Sequence, residues 1–184
     1  MKLTEELILE HEKIRNVLKI MGKISENIKT RKVFYTEDVE SIVKFIFVYW
    51  DKCHCKKEEN VLFPALISEG VLNENDNIAL MIEEHVFGVH YLKEINSCVE
   101  NCKIGNPFSS EILADSMITY ASMLQTHMQN EENYFFSIAN NVLSEAKQKQ
   151  LVEQFELIDK KLVKQKVYEQ FEGVLNQLEV KYLS

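Results

Sequence analysis

Apolar residues recur along this chain at three- and four-residue intervals over long stretches, the spacing of one helical face and not the alternation of a strand. Leu7, Ile14 and Leu18 mark a first stripe, and Val43, Phe47, Trp50, Val61 and Leu62 a second. Ile78, Met81, Ile82 and Leu92 mark a third, and Tyr120, Met123, Leu124, Tyr134 and Ile138 a fourth. A last stripe runs through Leu151, Phe155, Ile158, Leu162, Phe171, Val174, Leu178 and Tyr182. The stripes are separated by polar Thr30 to Tyr35, by Gly70 through Asn77, by Gly105-Asn106-Pro107 and by Ser144. Thr4, Thr36, Ser109 and Ser144 each stand one or two residues before an acid, as helix N-caps do. The pattern therefore predicts helices at about 4–29, 36–68, 74–102, 109–142 and 145–181, with Pro64 kinking or ending the second. The fifth is amphipathic, contains no histidine, and is expected to lie along the outside of a bundle.

Composition supports long uninterrupted elements, because only five glycines and two prolines punctuate 184 residues. One all-α domain over 1–184 is expected, with four helices over 1–143 and an additional C-terminal helix over 144–184. The net charge of −8 includes no dense cluster of Lys and Arg, which argues against nucleic acid as a partner. Phe45 to Trp50, the longest uncharged apolar run, falls far short of the roughly 20 residues a membrane-spanning helix needs. Acids follow Met-Lys-Leu-Thr too closely for a signal-peptide core. Cys53, Cys55, Cys98 and Cys102 show no CxxC spacing, so reduced thiols in a cytoplasmic protein are expected.

An internal repeat changes the picture. His54, three residues, Glu58-Glu59-Asn60, two residues and Phe63 recur as His127, three residues, Glu131-Glu132-Asn133, two residues and Phe136, an offset of 73. Glu10-His11 recurs as Glu84-His85 at an offset of 74. The chain reads as two copies of one helical hairpin, each supplying two histidines and one acid.

Residues four apart on a helix differ by roughly 40° around its axis, so His54 with Glu58, and His127 with Glu131, project from one face. His11, His54, His85 and His127 also fall on the apolar stripes and therefore point inward. Counted from the predicted helix ends, all four stand level, at about 27 Å from the connecting turns. Buried carboxylates need neutralising, and two metal cations would do this for Glu58 and Glu131. Four imidazoles with two carboxylates suit iron or zinc better than magnesium or calcium. If both glutamates bridge, each cation receives two nitrogens and two oxygens, with positions left for a bridging oxygen and an exogenous ligand.

These residues carry a resemblance to the hemerythrin-like, HHE cation-binding family. It rests on Leu9-Glu10-His11, on Cys53 through Pro64, on Glu84-His85 with Gly88 and Tyr91, and on His127 through Glu132. The resemblance implies an antiparallel up-and-down four-helix bundle over 1–143 around a carboxylate-bridged pair of iron ions, oxo- or hydroxo-bridged when oxidised, with His11, His54, Glu58, His85, His127 and Glu131 as metal ligands. A ferritin-like site is disfavoured, since those use Glu-x-x-His and neither pair here has that order.

The sequence departs from the oxygen-carrying members, which use five histidines with two spaced four apart on the third helix. Val89 occupies that position here, and His90, roughly 140° around the helix from His85, is expected at the surface. Small Gly88 is expected to leave room for a diatomic molecule or peroxide. Cys55 stands where many members have a second histidine, but it points roughly 100° away from His54 and is not expected to bind metal. Cys98 and Cys102 are expected to be small core residues. Glu59, Glu83, Glu84 and Glu132 are expected to face solvent, with hydrogen bonding to the ligands as the other reading.

The resulting expectation is an open di-iron site that binds dioxygen or nitric oxide for sensing, buffering or scavenging, with no protein partner identifiable. Reduction of peroxide or nitric oxide is the enzymatic alternative. Iron donation for iron–sulfur repair ranks lower, because relatives of that class carry an extra N-terminal cysteine-bearing segment and only ten residues precede His11. An iron-dependent interaction module would need a separate partner.

Overall fold

Helices end where the breakers fall, and the spans match the apolar stripes closely. The computed structural model describes residues 2–31, 33–71, 77–162 and 165–184, and the side chains among these outside 161–170. Helix α1 spans Leu3–Arg31. A second helical run over 36–68 comprises α2 (Thr36–Ile46), a π-helical stretch Phe47–His54, α3 (Cys55–Lys57), a second π-helical stretch Glu58–Leu62 and α4 (Phe63–Ser68). Helix α5 spans Asn77–Lys103. A fourth run over 109–142 joins α6 (Ser109–Asn130), a π-helical stretch Glu131–Phe136 and α7 (Ser137–Val142). Helices α8 (Glu145–Leu162) and α9 (Gln165–Leu183) follow. The expected start of the third helix at 74, most of the Gly70–Asn77 breaker and any join of the last segment at 163 and 164 lie outside the described residues.

Of the four expected caps, only Ser144 acts as one, its Oγ accepting the Lys147 N–H at 3.2 Å. Thr36 and Ser109 are already the first helical residues, preceded by Tyr35 and by Phe108 at a left-handed φ of 68°. Thr4 lies inside α1 and its hydroxyl donates to Asn140 Oδ1. Pro64 does not end its run. It sits in the first turn of α4, directly after a turn in which the Phe63 N–H reaches back five residues to Glu58 O. A proline there forfeits no regular α hydrogen bond.

The four runs pack in a ring, α1 on α6, α6 on α5, α5 on α2 and α2 on α1, forming a helical bundle with no strand among the described residues. Its core is split in two. One apolar cluster holds Ile14, Met21, Trp50, Leu92, Tyr120 and Leu124, the other Leu3, Leu7, Leu62, Phe63, Met81 and Phe136. The histidines lie in sequence between members of the two clusters, so a polar layer separates them. Helix α9 covers the first cluster with Leu178 and Tyr182, and α8 covers the second with Leu151 and Phe155. The described residues of the expected outer helix thus lie in α8 and α9, and Leu162's side chain lies outside them. No described helix is long and apolar enough to cross a membrane.

Among the described residues of the predicted stripes, Phe47, Ile82 and Tyr134 are exposed. Phe47 opens one π-helical stretch and Tyr134 lies within another, and the wider turn moves a residue off the face that a 3.6-residue period assigns to it.

The expectation of free space at Gly88 is overturned. A Cβ on Gly88 would lie 2.2 Å from Trp50 Cη2 and 2.6 Å from Cζ3, because the fully buried indole already fills that position. The indole then stands edge-on to His85 and His127, at centroid distances of 5.7 and 6.2 Å. Gly88→Ala must displace a rigid ring and should cost about 1–3 kcal/mol in denaturant unfolding. Since Trp50 is the sole tryptophan, its emission should shift in the same variant. Unchanged stability and emission would show that the close packing is not there.

Candidate metal centre

Each of the four runs sends one imidazole into the polar layer, and the second and fourth each add a carboxylate. His11, His54, Glu58, His85, His127 and Glu131 are all buried to within 2% of full burial. Local helix geometry takes part: His54 closes one π-helical stretch, while Glu58 and Glu131 each open another. Such widened turns concentrate at functional positions because they re-aim side chains without ending the helix.

Every imidazole is held from behind by a carboxylate of a neighbouring run. The Nδ1–H of His11 donates to Glu132 Oε1 at 2.8 Å, that of His54 to Glu10 Oε2 at 2.8 Å, that of His85 to Glu59 Oε1 at 2.9 Å and that of His127 to Glu84 Oε2 at 2.6 Å. The expectation that Glu59, Glu84 and Glu132 face solvent is therefore wrong; only Glu83 is exposed. Glu10 was not anticipated at all. Its signal was present in the Glu-His and Glu-Glu doublets of the repeat, in which one member points inward and the other braces a histidine on a different helix. The four bonds obey the repeat, since Glu10 to His54 becomes Glu84 to His127, and Glu59 to His85 becomes Glu132 to His11.

With Nδ1 committed as donor, a neutral imidazole presents a bare lone pair at Nε2. The Nε2 atoms of His11 and His54 face each other at 2.9 Å, which two lone pairs do not tolerate without a positive charge between or on them. Both oxygens of Glu58 and of Glu131, and Nε2 of His85 and His127, have no hydrogen-bond partner among the described residues. Glu131 Oε2 lies 3.3 Å from His11 Nε2, while its Oε1 lies 3.1 Å from His127 Nε2 and 3.6 Å from His85 Nε2. Glu58 Oε2 lies 3.6 Å from His54 Nε2 and 3.4 Å from His85 Nε2. Two ligand atoms about 2.1 Å from one cation stand roughly 3.0–3.4 Å apart at ordinary bond angles, so these spacings suit a shared ion. The atoms fall into overlapping groups: His11, His54, Glu58 and Glu131; His85, His127 and Glu131; and Cys55, Glu58 and His85. The glutamates belong to both sides, the arrangement expected of bridges between two cations.

Protons answer the same demand when no metal does. Burial alone would lower the pKa of His11, but Glu131 and Glu132 overcome it and lift the group to about 9. His127 is likewise raised to about 9 against its burial, chiefly by Glu131 and Glu84. Glu131, despite a burial that favours its neutral form, is held far below the usual carboxylate range by His127, His11 and His85.

The remaining candidates separate cleanly. His90 is exposed and Val89 half-buried, so no fifth imidazole joins the layer. Cys98 and Cys102 are half-buried and join no potential ligand group among the described residues. Cys55, expected to point elsewhere, is fully buried beside Glu58 and His85; the angle that turns it from His54 turns it towards α5. Behind His54, the buried ammonium of Lys57 bonds Glu10 at 2.6 Å and Glu6 at 2.8 Å and pairs with Asp159 of α8 at 3.0 Å.

A family model described as Hemerythrin HHE cation binding domain matches residues 2–139. No curated protein and no solved structure matches the chain.

Two outcomes follow from this geometry. The folded-state pKa values of His11 and His127 lie above the unfolded value of 6.5. Their stabilisation is complete below about pH 6.5 and is lost as pH rises through about 9. Metal-free protein should therefore lose a few kcal/mol across that window, measured by thermal unfolding, while metal-loaded protein should not. A flat or rising profile for the metal-free form would contradict the assignment. Lys57→Met strands three carboxylates around an apolar tip and should lower the unfolding free energy by roughly 3–5 kcal/mol, against under 1 kcal/mol for exposed Lys160→Met.

Proposed function

The chain belongs to the hemerythrin HHE cation-binding domain family, and from that membership we propose that it is a non-haem di-iron protein whose centre binds dioxygen or nitric oxide. The observation that carries this reading is a set of buried atoms without ordinary partners: both oxygens of Glu58 and of Glu131 and Nε2 of His85 and His127 have no hydrogen-bond partner among the described residues, and Nε2 of His11 and of His54 face each other at 2.9 Å. Such a set is costly in an apolar core unless cations occupy it, and its mix of imidazole and carboxylate suits iron. In this reading His11 and His54 would hold one ion and His85 and His127 the other, with Glu58 and Glu131 available to both. Paired irons supply a two-electron change in oxidation state to a small bound molecule.

The chain's own residues shape what can reach that centre. Four histidines and two bridging carboxylates leave coordination positions that a fifth histidine would occupy, and Val89 withholds it. Trp50 closes the side over Gly88. A surface cleft of about 410 Å³ lined by Glu84, Phe87, Tyr91, Met123, Thr126 and His127 abuts the layer behind His127. The Glu84 carboxylate there accepts the His127 Nδ1–H and fixes the ring. Sensing, buffering and scavenging all use the same reversible binding step.

Metal analysis with optical spectra of the anaerobically reduced protein tests the proposal. The expected result is about two irons per chain and a stoichiometric spectral change with dioxygen or nitric oxide, reversed when the gas is removed. Sustained turnover of peroxide or nitric oxide with an electron donor would replace the binding role with a reductase role. One zinc per chain with no iron uptake would sink both.

A further inference from the structure

Cys55 is unlike the other thiols of this chain. It is completely buried, and its sulfur lies with a Glu58 oxygen and a His85 nitrogen in a group whose ligand atoms are all within 4.8 Å of one another. Those neighbours are themselves unsatisfied: neither oxygen of Glu58 nor Nε2 of His85 has a hydrogen-bond partner among the described residues. A buried cysteine packed only as a small apolar residue would not be expected to sit against two such groups.

The two sides of the polar layer also differ. The His11 side gathers two histidines and both glutamates in one group; on the other side His85 and His127 share a group with Glu131, while Glu58, its Oε2 3.4 Å from His85 Nε2, falls in a group with His85 and Cys55. The hairpin repeat sharpens the contrast. The residue 73 positions after Cys55 is Met128, likewise fully buried. Sulfur stands at both positions, but only the thiol can lose a proton and become an anionic ligand.

We propose that Cys55 is a thiolate ligand on the His85 side of the centre, which makes the two cation positions chemically unequal. The inference rests on the two-metal reading above. On metal uptake the S–H bond breaks, a sulfur–metal bond forms and the proton leaves to solvent. One position then has an all nitrogen-and-oxygen donor set, and the other adds a soft, electron-rich sulfur that favours iron, cobalt or zinc over magnesium or calcium.

Cobalt(II) added to the full chain gives the test, because thiolate ligation produces an intense near-ultraviolet charge-transfer absorption that nitrogen and oxygen ligands do not. Two cobalt ions should bind per chain, with that absorption present. It should persist in the triple variant Cys53→Ser/Cys98→Ser/Cys102→Ser, whose single thiol is Cys55, and vanish in Cys55→Ser. One of the two affinities should fall by roughly 10- to 100-fold in the latter. The triple variant decides the matter even if Cys55→Ser does not fold. Two bound cobalt ions without the absorption would overturn the thiolate and leave the two-metal reading standing, and no cobalt uptake at all would overturn both.

Discussion

The structure depends on one constraint: two carboxylates and four imidazoles lie in the middle of an apolar core with their reactive atoms facing one another. Glu58 and Glu131 are fully buried and accept no hydrogen bond from the described residues, and no ordinary packing makes that favourable. Positive charge must enter, as protons on His11 and His127 or as metal. The rest of the bundle is organised around holding these six groups still until it does. Apolar clusters above and below exclude water, and a ring of outer carboxylates fixes each imidazole.

That ring has a direction. Run one braces run two through Glu10, run two braces α5 through Glu59, α5 braces run four through Glu84, and run four braces run one through Glu132. Each helix thus gives one histidine to the centre and one carboxylate to its neighbour. Lys57 extends the ring outward, since the same Glu10 that holds His54 is gripped by an ammonium also paired to Asp159 on α8.

Much of this was legible in the residues. Apolar periodicity with few glycines and prolines located the helices, and the 73–74-residue repeat singled out the six inward groups. Four things were not legible. The carboxylate braces join different helices, and residue spacing reports only neighbours on the same one. The π-helical stretches change the turn locally, so Phe47 and Tyr134 left the face that a regular helix assigns them. Gly88 suggested space, yet a glycine marks only where a backbone comes close to something, and the occupant was Trp50 from another run. The place of Cys55 was hidden for a related reason: its angle was measured against His54, whereas the thiol lies beside Glu58 and His85.

The braces divide unevenly between the two hairpins. Glu10 with His54, and Glu84 with His127, are pairs internal to one hairpin, while Glu132 with His11 and Glu59 with His85 join one hairpin to the other. Either half alone would keep one finished imidazole and one loose one, beside a glutamate whose far-side partners had gone. A cation seated between Glu58 and Glu131 would therefore be a rivet through two plates, and the halves could not separate without releasing it. Whatever free energy such a metal contributed on binding would be added to the seam between the hairpins, and a chelator would act as a crowbar at that seam.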